Sequence, residues 1–323
     1  MLSHLFRFAA NRLSPAGTSA HLTILIYHRI LSAPDPLQPE ILDAEAFDKQ
    51  LKLVKSLFQV LPLPQAVAAL KTGRLPARSA CITFDDGYAD NLLCALPVLQ
   101  QNAVSATFFI ATDYLDGGRM FNDTVIEAVR RAPAGYHDLR ELGLESLTLS
   151  TLENRQRSIA NLLSQIKYLP QSERSARVTA LVEQLSNQPL PNNLMLTTAQ
   201  LLDLHRAGMT IGAHTASHPI LETLTDAEAL ADIARGKLQL EAILGEEIQL
   251  FAYPNGKPNV DYTRRDVELV QSLGFLGAVS TAWGAAQPSD DPYQLPRFSP
   301  WASQPLRMQA QMLRNLKHPI TFC

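Results

Sequence analysis

Two adjacent carboxylates, Asp85 and Asp86, close a short apolar run, Ala80-Cys81-Ile82-Thr83-Phe84, and are followed by Gly87 and Tyr88. The run suits a buried strand, and the glycine permits a tight turn after it. Neighbouring strand residues point to opposite faces, but at a strand end the chain can turn so that both acids reach one cleft. There they can divide the work, one as metal ligand and one as base. Asp-Gly is also ordinary turn chemistry, so the pair alone decides nothing. A second signal is His214-Thr-Ala-Ser-His218, at the end of another short apolar stretch. Two imidazoles at this spacing can face one ion across a single turn, and Pro219 disfavours helical geometry at His218. Asp86, His214 and His218 together would offer two nitrogens and one oxygen, with positions left for water and substrate. Such a set suits Zn2+ and would also accept Co2+, Mn2+ or Ni2+. A metal there polarises a carbonyl and lowers the pKa of water.

The elements that must position these groups are legible around them. Leu22–Tyr27 is β-branched and apolar and reads as a first strand that delivers His28 and Arg29. Residues 44–58 repeat Phe47, Leu51, Val54 and Phe58 at helical spacing behind Asp43, a plausible N-cap. A short strand at 59–61 and a helix at 64–71 precede the Asp85 strand. A helical pattern at 91–101, bent or interrupted by Pro97, and a strand at 106–110 follow it. Strand and helix alternating in this way predict a parallel α/β sheet or barrel, with functional residues at the C-terminal ends of strands. The alternation stops from about 112 to 197, where helical patterns at 123–131, 152–168 and 172–185 predict a mostly helical insertion over or beside the site. It resumes with a helix capped by Thr198 and ending at Gly208, then a strand at 209–213. Next come a helix begun by the capping box Thr225-Asp-Ala-Glu228, with Leu230, Ile233, Leu240 and Ile243 as its apolar positions, and a strand at 249–253. A helix at 264–273, a strand at 275–280, the Leu295-Pro296-Arg297 segment and a closing helix at 302–316 complete the chain. Residues 1–20 read as an N-terminal extension and 21–323 as one barrel domain.

Composition narrows the function classes. Of 323 residues, 46% are hydrophobic and 18% charged, which argues against disorder. A net charge of −3 gives no reason to expect nucleic acid as a partner. Cys81, Cys94 and Cys323 form no disulfide framework and no zinc-type spacing. No segment is long and apolar enough to span a membrane, and the N-terminus lacks the pattern of a signal peptide. A cytoplasmic protein is therefore expected. Leu2, Leu5, Phe6 and Ala9 on one side of a first helix would allow weak contact with the inner membrane surface, although packing on the domain is the simpler role. The oligomeric state is not readable.

Thr83-Phe-Asp85-Asp86-Gly87, His214-Thr-Ala-Ser-His218 and Tyr253-Pro254-Asn255-Gly256 resemble, in order and approximate separation, the motifs of the polysaccharide deacetylases of carbohydrate esterase family 4, the NodB-homology fold. The resemblance covers about 22–111 and 198–298. It implies a distorted (β/α)-barrel of about seven strands and removal of acetyl groups from N-acetylated sugars. It also implies that Asp85 is the general base, that Asp86, His214 and His218 are the metal ligands, and that the Asn255 amide helps to stabilise the oxyanion. Two departures stand out. The arginine that usually precedes the third motif's proline by two residues is Ala252 here, and Arg297 is the candidate replacement, against the alternative of a surface salt bridge. The usual C-terminal catalytic histidine is missing, and His318 reads as a tail residue. Leu25-Ile-Tyr27-His28 instead resembles the N-terminal segment of circularly permuted deacetylases acting on poly-N-acetylglucosamine, which makes His28 the candidate general acid.

Tyr88 and Trp283 are candidate sugar-contacting aromatics, and Tyr253 and Pro254 are expected to shape the loop there. His4, His21, His137 and His205 have no motif around them. The partner implied is an N-acetylated carbohydrate, in a bacterial polysaccharide or its lipid-linked precursor. Competing readings are a deformylase or amidase acting on a lipid-linked amino sugar or another amide, and a catalytically silent carbohydrate-binding barrel.

Overall fold

The computed structural model describes residues 2–186, 188–300 and 304–323. Helix α1 (Leu2–Leu13) leads into β1 (Leu22–Tyr27), whose six residues are all buried. Helix α2 (Ala44–Leu57) follows, with the Asp43 carboxylate accepting from the Ala46 amide as its N-cap. Then come β2 (Gln59–Val60), α3 (Leu63–Lys71), β3 (Ser79–Phe84), α4 (Leu96–Gln101) and β4 (Thr107–Ile110). The insertion contributes α5 (Phe121–Arg131), a small hairpin of β5 (Tyr136–His137) and β6 (Leu147–Thr148), α6 (Leu152–Ile166) and α7 (Gln171–Leu185). The alternation resumes with α8 (Thr198–Arg206), β7 (Thr210–Ala213), α9 (Asp226–Leu244), β8 (Leu250–Ala252), α10 (Arg264–Ser272), β9 (Gly277–Val279) and α11 (Pro305–Asn315). Residues 302–303 of the expected closing helix lie outside the described residues.

All strands of the main sheet are parallel. Their order is β1-β3-β4-β7-β8-β9, with β2 beside the start of β3. β1 runs along the whole of β3, from Leu22 opposite Ser79 to Tyr27 opposite Phe84. The sheet curls, and the segment around Leu295–Phe298 spans the seam between its two edges. Leu295 bridges to Val279 of β9, and Phe298 to Leu25 of β1. The result is the expected distorted barrel of seven strands with a helical insertion. Its core is aromatic: Phe84 stacks on Phe108 at 4.8 Å and on Tyr27 at 5.4 Å between ring centroids. The insertion packs α5, α6 and α7 around a separate apolar cluster that includes Val129, Leu162 and Leu181.

Three local features differ from the sequence reading. Residues Asn91–Ala95 form one wide π-helical turn before α4, so Pro97 occupies the first turn of a new helix, where no amide donor is required. The cap of α8 is Thr197, not Thr198, because Gln200 completes a capping box with it. On α9, Leu230 is exposed and Gly236 is buried; the face against the sheet is shaped by close backbone approach, which a hydrophobicity pattern does not register.

Candidate active site

The C-terminal ends of β1, β3, β7 and β8 converge on a cavity of about 230 Å³. β1 delivers His28, β3 delivers Asp85 and Asp86, β7 delivers His214, and the loop after β8 delivers Asn255. The insertion supplies another wall, with Phe121, Asn122, Leu163 and Lys167. A larger, mainly apolar hollow of about 930 Å³ adjoins at His28, but it holds none of the paired acids or the other two histidines.

Asp86, His214 and His218 place one donor atom each within 4.8 Å of one another and could hold a metal ion. Nε2 of His214 and Nε2 of His218 lie 3.4 and 3.3 Å from Oδ1 of Asp86. Nδ1 of His214 is 2.7 Å from the Ala252 carbonyl oxygen and donates to it, which turns Nε2 toward Asp86. Oδ1 of Asp86 is buried without a hydrogen-bond partner. Converging acceptors around an unpartnered buried oxygen call for a cation between them. Burial pushes the Asp86 carboxyl up, but His214 and His218 more than offset it and hold it below the usual range. His218 is pushed down to about 4, chiefly by burial, which favours the neutral imidazole that a metal requires.

Asp85 is held differently. Arg297 is 2% exposed and its guanidinium forks onto both carboxylate oxygens, at 2.7 and 2.6 Å. Nε of Arg297 donates to the Ser280 carbonyl at 2.9 Å, and Nη1 to the Thr83 hydroxyl at 3.2 Å. Arg297 is therefore no surface residue. Ala252 is buried in the same apolar cluster as Phe109, and the Arg297 guanidinium carbon lies 5.8 Å from the Phe109 ring centre. Burial pushes the Asp85 carboxyl up, yet Arg297, with His214 and His28, brings it below the ordinary value.

A family model described as polysaccharide deacetylase matches residues 72–277. The chain belongs to the polysaccharide deacetylase family. These enzymes are hydrolases acting on amide bonds of N-acetylated sugars. YxkH of Bacillus subtilis (strain 168), named as a polysaccharide deacetylase, is 21% identical over 280 residues, 86% of this chain and 71% of that protein. The fold is similar to the Streptococcus pyogenes deacetylase PplD in complex with acetate, at TM-score 0.61 and 19% identity, over 93% of this chain and 99% of that one. It is also similar to IcaB from Ammonifex degensii, at TM-score 0.59 and 18% identity, over 94% and 99%.

In this deacetylase the site loops are strained. Asp86, Thr215, His218 and Asn255 all have positive φ, four of the eight non-glycine residues that do among the described residues. A β-branched threonine at φ 63° is costly unless its surroundings enforce it. Here they do. Oδ1 of Asp232 accepts from the amides of Ala216 and Ser217 at 2.9 and 3.0 Å, and the Thr215 hydroxyl accepts from the His218 amide at 3.0 Å. Gly236, one turn beyond Asp232, lets α9 press on the same loop: a Cβ there would lie 2.5 Å from the Thr215 carbonyl group. His28 is exposed at the cavity, and its carbonyl accepts from the Asn91 side chain at 2.8 Å. Asp90 holds the next two residues, accepting from Arg29 Nε at 2.8 Å and from the Ile30 amide at 3.3 Å. Asp90, Asn91, Asp232 and Gly236 were not singled out from sequence. The one local signal is the polar pair Asp90-Asn91 shortly after Asp85-Asp86-Gly87, and nothing near Asp232 or Gly236 marks those two.

The two candidate sugar-contacting aromatics, Tyr88 and Trp283, do not line the cavity, and Tyr253 and Pro254, expected to shape the loop there, are buried. Tyr88 is 2% exposed and donates to Asp123 at 2.9 Å; burial pushes the Asp123 carboxyl up to about 7. Tyr253 is buried, stacked 3.9 Å from Tyr262, and donates to the Tyr293 carbonyl. Pro254 is buried beside it in the chain. Trp283 stacks on His318 at 3.9 Å and on Phe298 at 6.1 Å, so neither Trp283 nor His318 lines the cavity. Aromatic residue type near a motif predicts burial as readily as sugar contact.

Replacing Arg297 with Gln leaves Asp85 buried without its counter-charge, and stability in urea denaturation falls by about 3–5 kcal/mol. Asp85→Asn in the same background restores part of the loss. Because the folded Asp85 carboxyl lies below its ordinary value of 3.8, the pair's stabilisation is complete above that pH and disappears as pH falls through the folded value. Wild type and the double variant therefore converge in acid. Gly236→Ala forces α9 off the Thr215 loop and costs roughly 1–3 kcal/mol in the same assay.

Proposed function

We propose that this chain is a metal-dependent deacetylase that hydrolyses the N-acetyl group of an amino sugar in a bacterial polysaccharide or its lipid-linked precursor. One observation carries the reading: a buried, ionised Asp85 gripped by Arg297 stands directly beside the converging Asp86, His214 and His218. A binding module has no use for a base held in this way.

Asp86, His214 and His218 would hold the ion, with Zn2+ the simplest choice for two imidazoles and a carboxylate. When bound, such an ion supplies Lewis acidity for the amide carbonyl and lowers the pKa of water. Asp85 accepts the proton of the attacking water, and the Arg297 fork fixes which face of the carboxylate is presented. The backbone amide of Asn255 is the donor assigned to the developing oxyanion. His28, exposed in the cavity, gives a proton to the leaving nitrogen as the C–N bond breaks. Acetate and a free amine are released, so atoms and protons balance. Acetate bound to the similar Streptococcus pyogenes deacetylase supports an acetyl rather than a formyl group.

Acetate release from N-acetylglucosamine oligomers by the Zn2+-loaded protein tests this. Release is expected, lost on chelation and restored by metal. Asp85→Asn abolishes it, and His28→Ala lowers kcat by roughly 10²–10⁴ with a smaller change in KM. Release that survives chelation removes the metal from the mechanism. Formate from N-formyl sugars with no acetate from the acetylated ones changes the acyl group.

A further inference from the structure

The apolar hollow of about 930 Å³ meets the catalytic cavity at His28, which lines both. It lies between the exit of β1, the loop before α2, α2 itself and the start of α11. Its walls include Ile41, Leu42, Leu53, Pro300 and Met308. Several of its polar groups are already paired. The Tyr27 hydroxyl donates to Gln50 at 2.6 Å, and Gln50 donates to the Pro300 carbonyl at 3.4 Å. Lys49 and Lys52 are salt-bridged to Glu45 and Asp48, each at 2.5 Å. With those groups satisfied, the hollow offers an occupant chiefly apolar surface, and its volume is that of a small-molecule site, about 300–1,000 Å³. A sugar ring would gain little there, whereas a hydrocarbon chain would gain from every methylene buried.

The surrounding surface has matching chemistry. Helices α1 and α11 pack on each other and on α2. Together they carry Arg7, Arg12, Arg307 and Arg314, all exposed, and no aspartate or glutamate, in a chain whose net charge is −3. The same two helices expose Leu5, Phe8 and Leu306, at 63%, 65% and 52%. Apolar side chains among arginines suit the surface of an anionic bilayer, where a lipid-bearing substrate resides.

We propose that this hollow binds the hydrocarbon chain of the substrate, so that the amino sugar presented to His28 and Asp85 is lipid-linked. The inference rests on the deacetylase reading for the sugar end and on the hollow and the surface beside it for the lipid end. The decisive comparison uses a long-chain alkyl glycoside of N-acetylglucosamine and its methyl glycoside, with binding followed by calorimetry below micelle formation and turnover by acetate release. The alkyl glycoside is expected to bind roughly tenfold tighter or more, with a matching fall in KM. Ala46→Trp, which fills the hollow from α2, and Ile41→Glu, which puts a charge in its loop wall, both return the alkyl-to-methyl ratio of affinities to near one. Equal affinity for the two glycosides in wild type overturns the proposal, as does an alkyl advantage that both substitutions leave intact. Chain-dependent binding lost in both variants, with no acetate released from either glycoside, supports the lipid site and overturns the acetyl reading.

Discussion

The buried pair of Asp85 and Arg297 is the interaction on which the site depends. The two residues lie 212 positions apart; Asp85 follows β3, and Arg297 sits on the segment that spans the seam where the curled sheet closes. A carboxylate this deeply buried would take up a proton if left alone. The bidentate guanidinium keeps it charged and fixes its orientation. The guanidinium is in turn held by the Ser280 carbonyl and the Thr83 hydroxyl. A buried ion pair with its remaining donors satisfied is weak evidence for net stability, but breaking one partner is severe. The closure of the barrel and the state of the proposed base are therefore one structural problem. The segment that carries Arg297 also bridges β9 and β1 through Leu295 and Phe298.

Around that pair, the loops that present Asp86, His214, His218 and Asn255 depart from relaxed backbone geometry. Short strand-end loops cannot turn several polar side chains into one cavity while keeping every residue in a favoured conformation. The strain persists because the scaffold over-determines it. Asp232 satisfies two consecutive amides, and the absent side chain of Gly236 brings a nineteen-residue helix against Thr215. On the far side, Asp90 and Asn91 do the same for the segment that carries His28. The chemistry-bearing residues are thus supported by a ring of polar contacts from elements that never touch the cavity. Such support is what holds reacting groups to the narrow tolerances that catalysis demands.

The insertion folds around its own apolar cluster and still contributes Phe121, Asn122, Leu163 and Lys167 to the cavity wall. It interrupts the barrel between β4 and β7, yet those strands pair directly in register, Thr107 with Thr210 through Ile110 with Ala213. The sheet is indifferent to the length of that connection because loop closure costs rise slowly with chain length. The insertion can therefore vary the cavity wall without disturbing the strand ends opposite.

The sequence by itself determined the local pieces. The apolar runs became strands because they bury both faces of a parallel sheet, and Asp43 and the Thr225-Glu228 box became caps because capping is settled within one helical turn. The acid pair and the histidine pair were legible because each falls directly after such a run, and a parallel sheet gathers its strand ends on one side. Tertiary structure decided everything that depends on approach between distant segments. It paired Arg297 with Asp85, sent Tyr88 to Asp123 and stacked Trp283 on His318. It also made Asp232 and Gly236 props for the histidine loop. The physical reason is the same in each case. Residue type states what a side chain can bond to, but where a buried side chain finds its partner is set by how the sheet curls and which helix packs behind it.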